Sequence, residues 1–299
     1  EILPPARTPL PVVDLSGLAP DEAEEQAQRL VPEMSLRPFD LEREPALAMT
    51  LLRLAPDAHV LLLVIHHIVS DVWSIGVFFR DLGGHYDSLA QGRPLQLAPL
   101  PLQYADYVVW LRNRLEQTGE MERQQRYWVD QLAGAPPVLE LPIDFPRPAT
   151  QTFRGQRRPM RFGDHIHRRL AAIAKPEEAS VYMASLAVFF LLLYRSTGQR
   201  DLLVGTPTAN RDRVELEQLV GFFVNTVVLR ARFSSELTFR QLLRQVRETC
   251  LQAFAHHDLP FDRVVQALKL PRDTSRNPLI QIDFAFQNLP AVELTTPGL

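Results

Sequence analysis

Apolar and polar positions alternate along this chain with two different periods. Pro11–Leu15 closes a proline-rich, extended start and reads as a short strand, whereas Asp21–Met34 is polar with its few apolar residues at helical spacing. Two apolar runs follow, Ala46–Leu54 and His59–Ile65, on either side of Pro56-Asp57, a pair that favours turning. The second run is continuously apolar, which predicts a strand buried on both faces. It leads directly into His66-His67-Ile68-Val69-Ser70-Asp71. A helix is predicted next, with Ser70 or Asp71 as its N-cap and its end near Leu89.

Two further helices are expected between Leu102 and Leu132. The stretch from Pro136 to Pro148 holds prolines at 136, 137, 142, 146 and 148, so it can be neither helix nor central strand. It is the natural linker between two lobes, residues 1–145 and 146–299. The second half predicts a strand, a helix near 163–174, an apolar helix near 179–197 and a strand Asp201–Gly205. Strand Val224–Phe233, helices Thr238–His256 and Phe261–Leu268, and strand Leu279–Gln287 complete it. Strands and helices interleave in both halves, which is the pattern of an α/β fold.

Composition narrows the partners. With 299 residues and 46% hydrophobic content the chain can bury one large core or two ordinary ones. A net charge of -3 provides no basic surface of the kind that nucleic acid or an anionic membrane needs, so neither is expected as a partner. The longest apolar candidate, Val181–Tyr194, is interrupted by Ser185 and reads as a buried helix rather than a membrane span. Cys250 is the one cysteine, so no internal disulfide can form, and a reducing, cytoplasmic location is expected. The chain begins at Glu1 without an initiator Met or signal pattern and stops at Pro297-Gly298-Leu299, which reads as an excerpt of a longer polypeptide.

The richest chemistry lies at the strand-to-helix junction. Adjacent side chains on a strand point to opposite faces, so His66 and His67 are expected to diverge, one toward a cleft and the other inward. Asp71 lies within reach if the chain turns, where a carboxylate can orient an imidazole or bind a cation that holds the loop. A purely structural role at a strand end stands beside this functional one. Zinc is not expected, because neighbouring histidines diverge and no third ligand has suitable spacing. A second doublet, His256-His257-Asp258, ends a helix, where it complements the C-terminal dipole. Tyr104, Tyr107 and Trp110 have helical spacing and are expected in a core. Neither a phosphate-cradling loop nor a Gly-x-Ser-x-Gly elbow occurs, and Cys250 sits mid-helix, a packing position.

These residues resemble a known family. His66-His67-Ile-Val-Ser70-Asp71-Val72-Trp73-Ser74 is similar to the His-His-x-x-x-Asp-Gly motif of the condensation domains of non-ribosomal peptide synthetases. Tyr104-Ala-Asp106-Tyr-Val-Val-Trp110, Val220-Gly221-Phe-Phe-Val-Asn225-Thr226, His256-His-Asp258-Leu-Pro260-Phe261-Asp262 and Arg272-Asp273-Thr-Ser275-Arg276-Asn277-Pro278-Leu279 resemble further motifs, in family order. The resemblance extends to flanking phrases such as Thr197-Gly198-Gln199 and so covers nearly the whole chain. It implies two chloramphenicol acetyltransferase-like lobes in a V shape, with a tunnel between them and a carrier protein at each end. No cofactor would be bound directly. Phosphopantetheine arms of donor and acceptor peptidyl carrier proteins would bring an acyl or peptidyl thioester and an aminoacyl thioester together for amide bond formation, with an adenylation domain in the same polypeptide.

By the same resemblance His67 is the active-site histidine and Asp71 the structural carboxylate that forms an ion pair. His66, Val72, Ser74 and Asn225 are supporting residues, and no metal is implied. His67 has two open roles, general base or hydrogen-bonding partner that orients the amine. Val72 stands where the family has glycine, which removes access to positive φ and adds bulk beside a reacting oxygen. The family's N-terminal motifs, an arginine-rich one among them, and the end of its second lobe do not occur in this sequence. Two other readings share the fold: an acyltransferase that esterifies an alcohol, and a catalytically silent domain that docks carriers. The histidine pair argues against a heterocyclising relative, and the Arg272–Leu279 motif against an epimerising one.

Overall fold

The computed structural model describes residues 8–94, 98–271 and 273–287. They fall into two compact units. One contains the described chain up to Pro101 together with Glu217–Phe223; the other contains Leu102–Leu216 and the described chain from Val224 onward. The units therefore divide at Pro101, not at the proline-dense stretch around residue 145. The two helices after Leu102 pack with the second unit, while seven residues from the second half of the sequence join the first. A division based on proline content cannot detect either exchange.

In the first unit, β1 (Val12–Asp14) runs parallel to β2 (Leu47–Ala55), and β2 is antiparallel to β3 (Ala58–Ile65), with Pro56-Asp57 forming the turn as expected. Helix α1 (Pro20–Ser35) starts with proline at its first position, where a missing N–H costs nothing, and the Glu22 carboxylate accepts from the Ala19 amide at 3.3 Å. Its Ala23 and Ala27 pack with Leu15 and Leu52, so α1 covers the sheet face that carries Leu52, Leu54 and Val60. The other face presents the cross-strand pairs Leu47/Ile65, Met49/Leu63 and Leu51/Leu61. The expectation that β3 is buried on both faces is not met. Among the described residues it is an edge strand, and Leu61 remains exposed. An uninterrupted apolar run identifies two apolar faces but not what covers them.

The second unit holds α3 (Tyr104–Gln117), α4 (Glu120–Leu132), α5 (Asp164–Ala174), α6 (Val181–Thr197), the antiparallel pair β4 (Asp201–Thr208) and β5 (Asn225–Arg232), α7 (Phe239–Phe254) and α8 (Phe261–Leu268). Helix α6 packs one side into the core, where Ala184, Leu186 and Phe190 join Leu202, Val204 and Leu229 of the strands and Leu242, Leu243 and Val246 of α7, while its Val188 and Leu192 remain exposed. Trp128 of α4 is buried in the same cluster and its indole donates to the His256 carbonyl at 2.9 Å, which explains why α4 belongs to this unit. Buried Arg230 grips Asp201 with two hydrogen bonds, at 2.6 and 2.8 Å, and donates to the carbonyls of Gln131 and Ala133.

Two expected strands differ. The segment ahead of α5 forms no strand among the described residues, and Leu279–Gln287 meets β4 through a single parallel bridge, Gly205 to Asp283. That crossing needs glycine. A Cβ on Gly205 would lie 2.1 Å from the Asp283 carboxylate and 2.7 Å from an Ile280 methyl. No single helix in the described residues is long and apolar enough to cross a membrane.

Candidate functional site

Strand β3 ends at Ile65, His66 is extended, His67–Val69 make one turn of 3-10 helix, and α2 (Val72–Ala90) begins after Asp71. The two histidines have different partners, but both lie beyond the end of β3, so alternation along a strand is not what separates them. The His66 Nδ1 accepts from the Ile68 amide at 3.1 Å, and its ring meets Phe39 edge-on. His67 is on the exposed side, and its Nδ1 lies 2.6 Å from the Ser70 carbonyl. A carbonyl can only accept, so Nδ1 carries the proton and Nε2 of the neutral ring keeps its lone pair. The Ser70 carbonyl, rather than the Asp71 carboxylate, thus orients the imidazole. The Phe222 ring stands edge-on to His67 with centroids 5.2 Å apart and planes at 89°.

Asp71 is 6% exposed and serves two backbone amides. Its Oδ1 accepts from Ser74 at 2.8 Å, which caps α2, and its Oδ2 accepts from Phe223 at 3.0 Å. Ser74 is fully buried, donating to the Gly221 carbonyl at 2.8 Å and accepting from the Gly221 amide at 3.1 Å. The Trp73 indole adds a bond to the Glu217 carbonyl at 2.9 Å. The first turn of α2 therefore clamps the whole segment Glu217–Phe223.

Val72 is the first residue of α2. Its φ is not in the left-handed region, and 57% of the residue is exposed. The conformational reason for glycine is thus absent here, because valine adopts this backbone without strain.

Asn225 lies in the second unit, at the start of β5. Its Nδ2 donates to the carbonyls of His257 and Leu259, both at 2.8 Å, and its Oδ1 accepts from the Phe261 amide at 3.1 Å. These bonds fix the loop between α7 and α8. In the His256-His257-Asp258 doublet, each imidazole Nδ1 approaches a carbonyl of the last turn of α7, Gln252 for His256 (2.8 Å) and Phe254 for His257, as a helix end favours.

One group of potential metal ligands, Asp212, His257 and Asp258, converges in this unit. His257 Nε2 is 2.9 Å from the Asp212 carboxylate, and Asp258 takes an ion pair with Arg114 at 2.9 Å and a bond from Gln124 at 3.2 Å. The cluster is occupied by its own partners, with a cation already present in Arg114. Of the three aromatics expected in a core, Tyr107 is buried, and burial pushes its hydroxyl up to about 12. Trp110 instead lies at the surface between the guanidiniums of Arg114 and Arg213, 5.4 and 4.9 Å from its ring. In the last motif Arg272 lies outside the described residues, while Thr274 ties down the segment that follows the proline-dense stretch, through Ala149 and Gln151.

Sequence reading missed the clamp, although it singled out both partners. Its two sides are 152 positions apart at Asp71 and Phe223, and no spacing rule connects them.

A family model described as "Condensation domain" matches residues 2–296. One of the linear gramicidin synthase proteins of Brevibacillus parabrevis is 45% identical over 280 residues, which are 93% of this chain and 5% of that protein. Among solved structures, the X-domain from teicoplanin biosynthesis matches with a TM-score of 0.81 at 31% identity, over 94% of this chain and 61% of that one. The four-domain non-ribosomal peptide synthetase AB3403, in its holo form bound to AMP and glycine, matches with a TM-score of 0.82 at 27% identity, over 96% of this chain and 21% of that one. The α/β fold is therefore shared with these domains, and the chain spans only a small part of the synthetases it resembles.

Proposed function

Because this chain belongs to the condensation-domain family, we propose that it joins two carrier-bound substrates by an amide bond, with His67 as the residue that handles the proton. The observation that carries this reading is the 2.6 Å contact from His67 Nδ1 to the Ser70 carbonyl, which leaves Nε2 of this exposed residue with its lone pair. The donor would be an acyl or peptidyl thioester and the acceptor an aminoacyl thioester, each held on a phosphopantetheine arm of a peptidyl carrier protein. An adenylation domain in the same polypeptide would load the acceptor.

The reaction balances without any further reagent. The acceptor nitrogen attacks the donor carbonyl carbon, a C–N bond forms, and the C–S bond to the donor arm breaks. One proton passes from the nitrogen to the departing sulfur, and His67 Nε2 would accept and return it. A thioester is already activated toward an amine, so holding both arms in position supplies much of the acceleration. Proton transfer through a placed imidazole adds about 10²–10⁴-fold. Asp71 and Ser74 act at a distance from the reacting atoms, by holding the backbone around His67. Asn225 fixes the loop between α7 and α8 within the second unit.

A second reading is a silent docking domain. It is favoured by the likeness to the teicoplanin X-domain, which has been solved in complex with OxyB. Both readings are tested in the polypeptide that carries this domain, with donor and acceptor carriers preloaded and the acceptor arm weighed by mass spectrometry. A lengthened chain on the acceptor arm supports condensation. Unchanged arms with carriers still bound support docking alone.

A further inference from the structure

We propose that Glu217–Phe223 is a positioning device for His67, in which Phe222 sets the plane of the imidazole and the first turn of α2 holds Phe222 in place. The inference rests on the reading of His67 as the proton-handling residue and adds a positioning residue to it.

The His67 ring has one hydrogen bond of its own, from Nδ1 to the Ser70 carbonyl. That bond restrains the ring through Nδ1 alone. Phe222 supplies a second constraint, a perpendicular edge contact at 5.2 Å. Such a wall is useful only if its backbone cannot drift, and the residues on both sides of Phe222 are anchored. Gly221 is held through both its amide and its carbonyl by the Ser74 hydroxyl, and the Phe223 amide is held by the Asp71 carboxylate. Trp73 fixes the start of the segment at the Glu217 carbonyl. All three anchoring residues lie four to seven positions after His67, in the turn that the His67–Ser70 bond also shapes. The imidazole and its wall therefore share one base.

Phe222 itself is 40% exposed while Asp71 and Ser74 are buried, so the anchors are spent on a residue that is not a core residue.

The test is a single-turnover series in the polypeptide that carries this domain, with both carriers preloaded, comparing Phe222→Leu, Phe222→Tyr, His67→Ala and the double variant Phe222→Leu/His67→Ala. Leucine keeps an apolar side chain without the ring, and tyrosine keeps the ring. A misplaced reacting group can lower the rate by about 10²-fold, so Phe222→Leu is expected to slow condensation by about 10- to 100-fold at saturating acceptor. Phe222→Tyr is expected to remain within about twofold. In the His67→Ala background the Phe222 effect should vanish, because it acts through His67. Equal slowing by Phe222→Leu in both backgrounds, or no slowing with native His67 present, overturns the positioning role. Should His67→Ala itself leave the rate unchanged, the reading of His67 fails instead, and the two failures are told apart.

Discussion

The Ser74 hydroxyl satisfies both backbone groups of Gly221, a residue 147 positions away, and does so from a fully buried site. Removing it strands an amide and a carbonyl together. A buried polar group left unpaired costs about 1–3 kcal/mol. Ser74→Ala is therefore expected to lower stability by about 2 kcal/mol or more, read as a shift of the urea midpoint. An unchanged midpoint would mean that water or a rearranged backbone replaces the clamp.

Val72→Gly is expected not to rescue anything. Position 72 has a helical backbone, and its side chain is mostly exposed, so glycine relieves no strain and vacates no buried space. In a helix glycine costs roughly 0.5–1 kcal/mol relative to alanine. A small loss of thermal stability with an unchanged single-turnover rate is the expected pair of results. A large gain in rate would show that the valine side chain itself obstructs the reaction.

Cys250 lies inside α7 with no exposed surface, and burial pushes its thiol up to about 12. The thiolate is the reactive form, so at pH 8 a soluble disulfide reagent should react with the native protein only as fast as the unit opens. Full reactivity should appear in denaturant. Fast labelling of the native chain would contradict the packing of α7 against α6 and the strands.

Much of the fold and site was legible because it depends on local pattern. The α2 start at Asp71 and the apolar α6 follow from spacing and capping rules that act within a few residues, whereas His66 and His67 part because the chain leaves the strand at Ile65 and turns. What was not legible depends on contacts between distant parts of the chain. The residue-145 boundary missed because Trp128 finds its partner at His256, and because Glu217–Phe223 leaves its neighbours in sequence to sit on α2. The strand Leu279–Gln287 shrank to one bridge for a related reason. Its alternation shows that it can pair, but the pairing also needs a partner edge in register, and among the described residues only Gly205 pairs with it through backbone hydrogen bonds. Trp110 misled because helical spacing of aromatics is the same for a core stripe and for a ring that stacks with arginines at the surface.

Acid should loosen the second unit through Glu177. A hydrogen bond from Arg244, with Arg240 on the other carboxylate oxygen, holds this buried carboxyl below the ordinary glutamate range. A carboxyl whose folded value is depressed stabilises the fold above its unfolded value and loses that contribution as pH falls through the folded one. Stability should therefore decline from about pH 4.5 downward, the ordinary value for this side chain. Glu177→Gln should be less stable at neutral pH and should show a flatter acid limb, measured by thermal unfolding from pH 3 to pH 7 in steps of about one unit. Parallel acid limbs in the two proteins would assign the acid sensitivity to other groups.

The role of His67 is read most directly from the single-turnover rate of amide formation with native His67 and with His67→Ala, in the polypeptide that carries this domain and with both carriers preloaded. Loss of a placed proton acceptor is expected to slow product formation by about 10²–10⁴-fold, with carrier binding unchanged. Equal rates in the two proteins would contradict the account, and would mean that positioning of the two arms alone performs the reaction, without the imidazole at position 67.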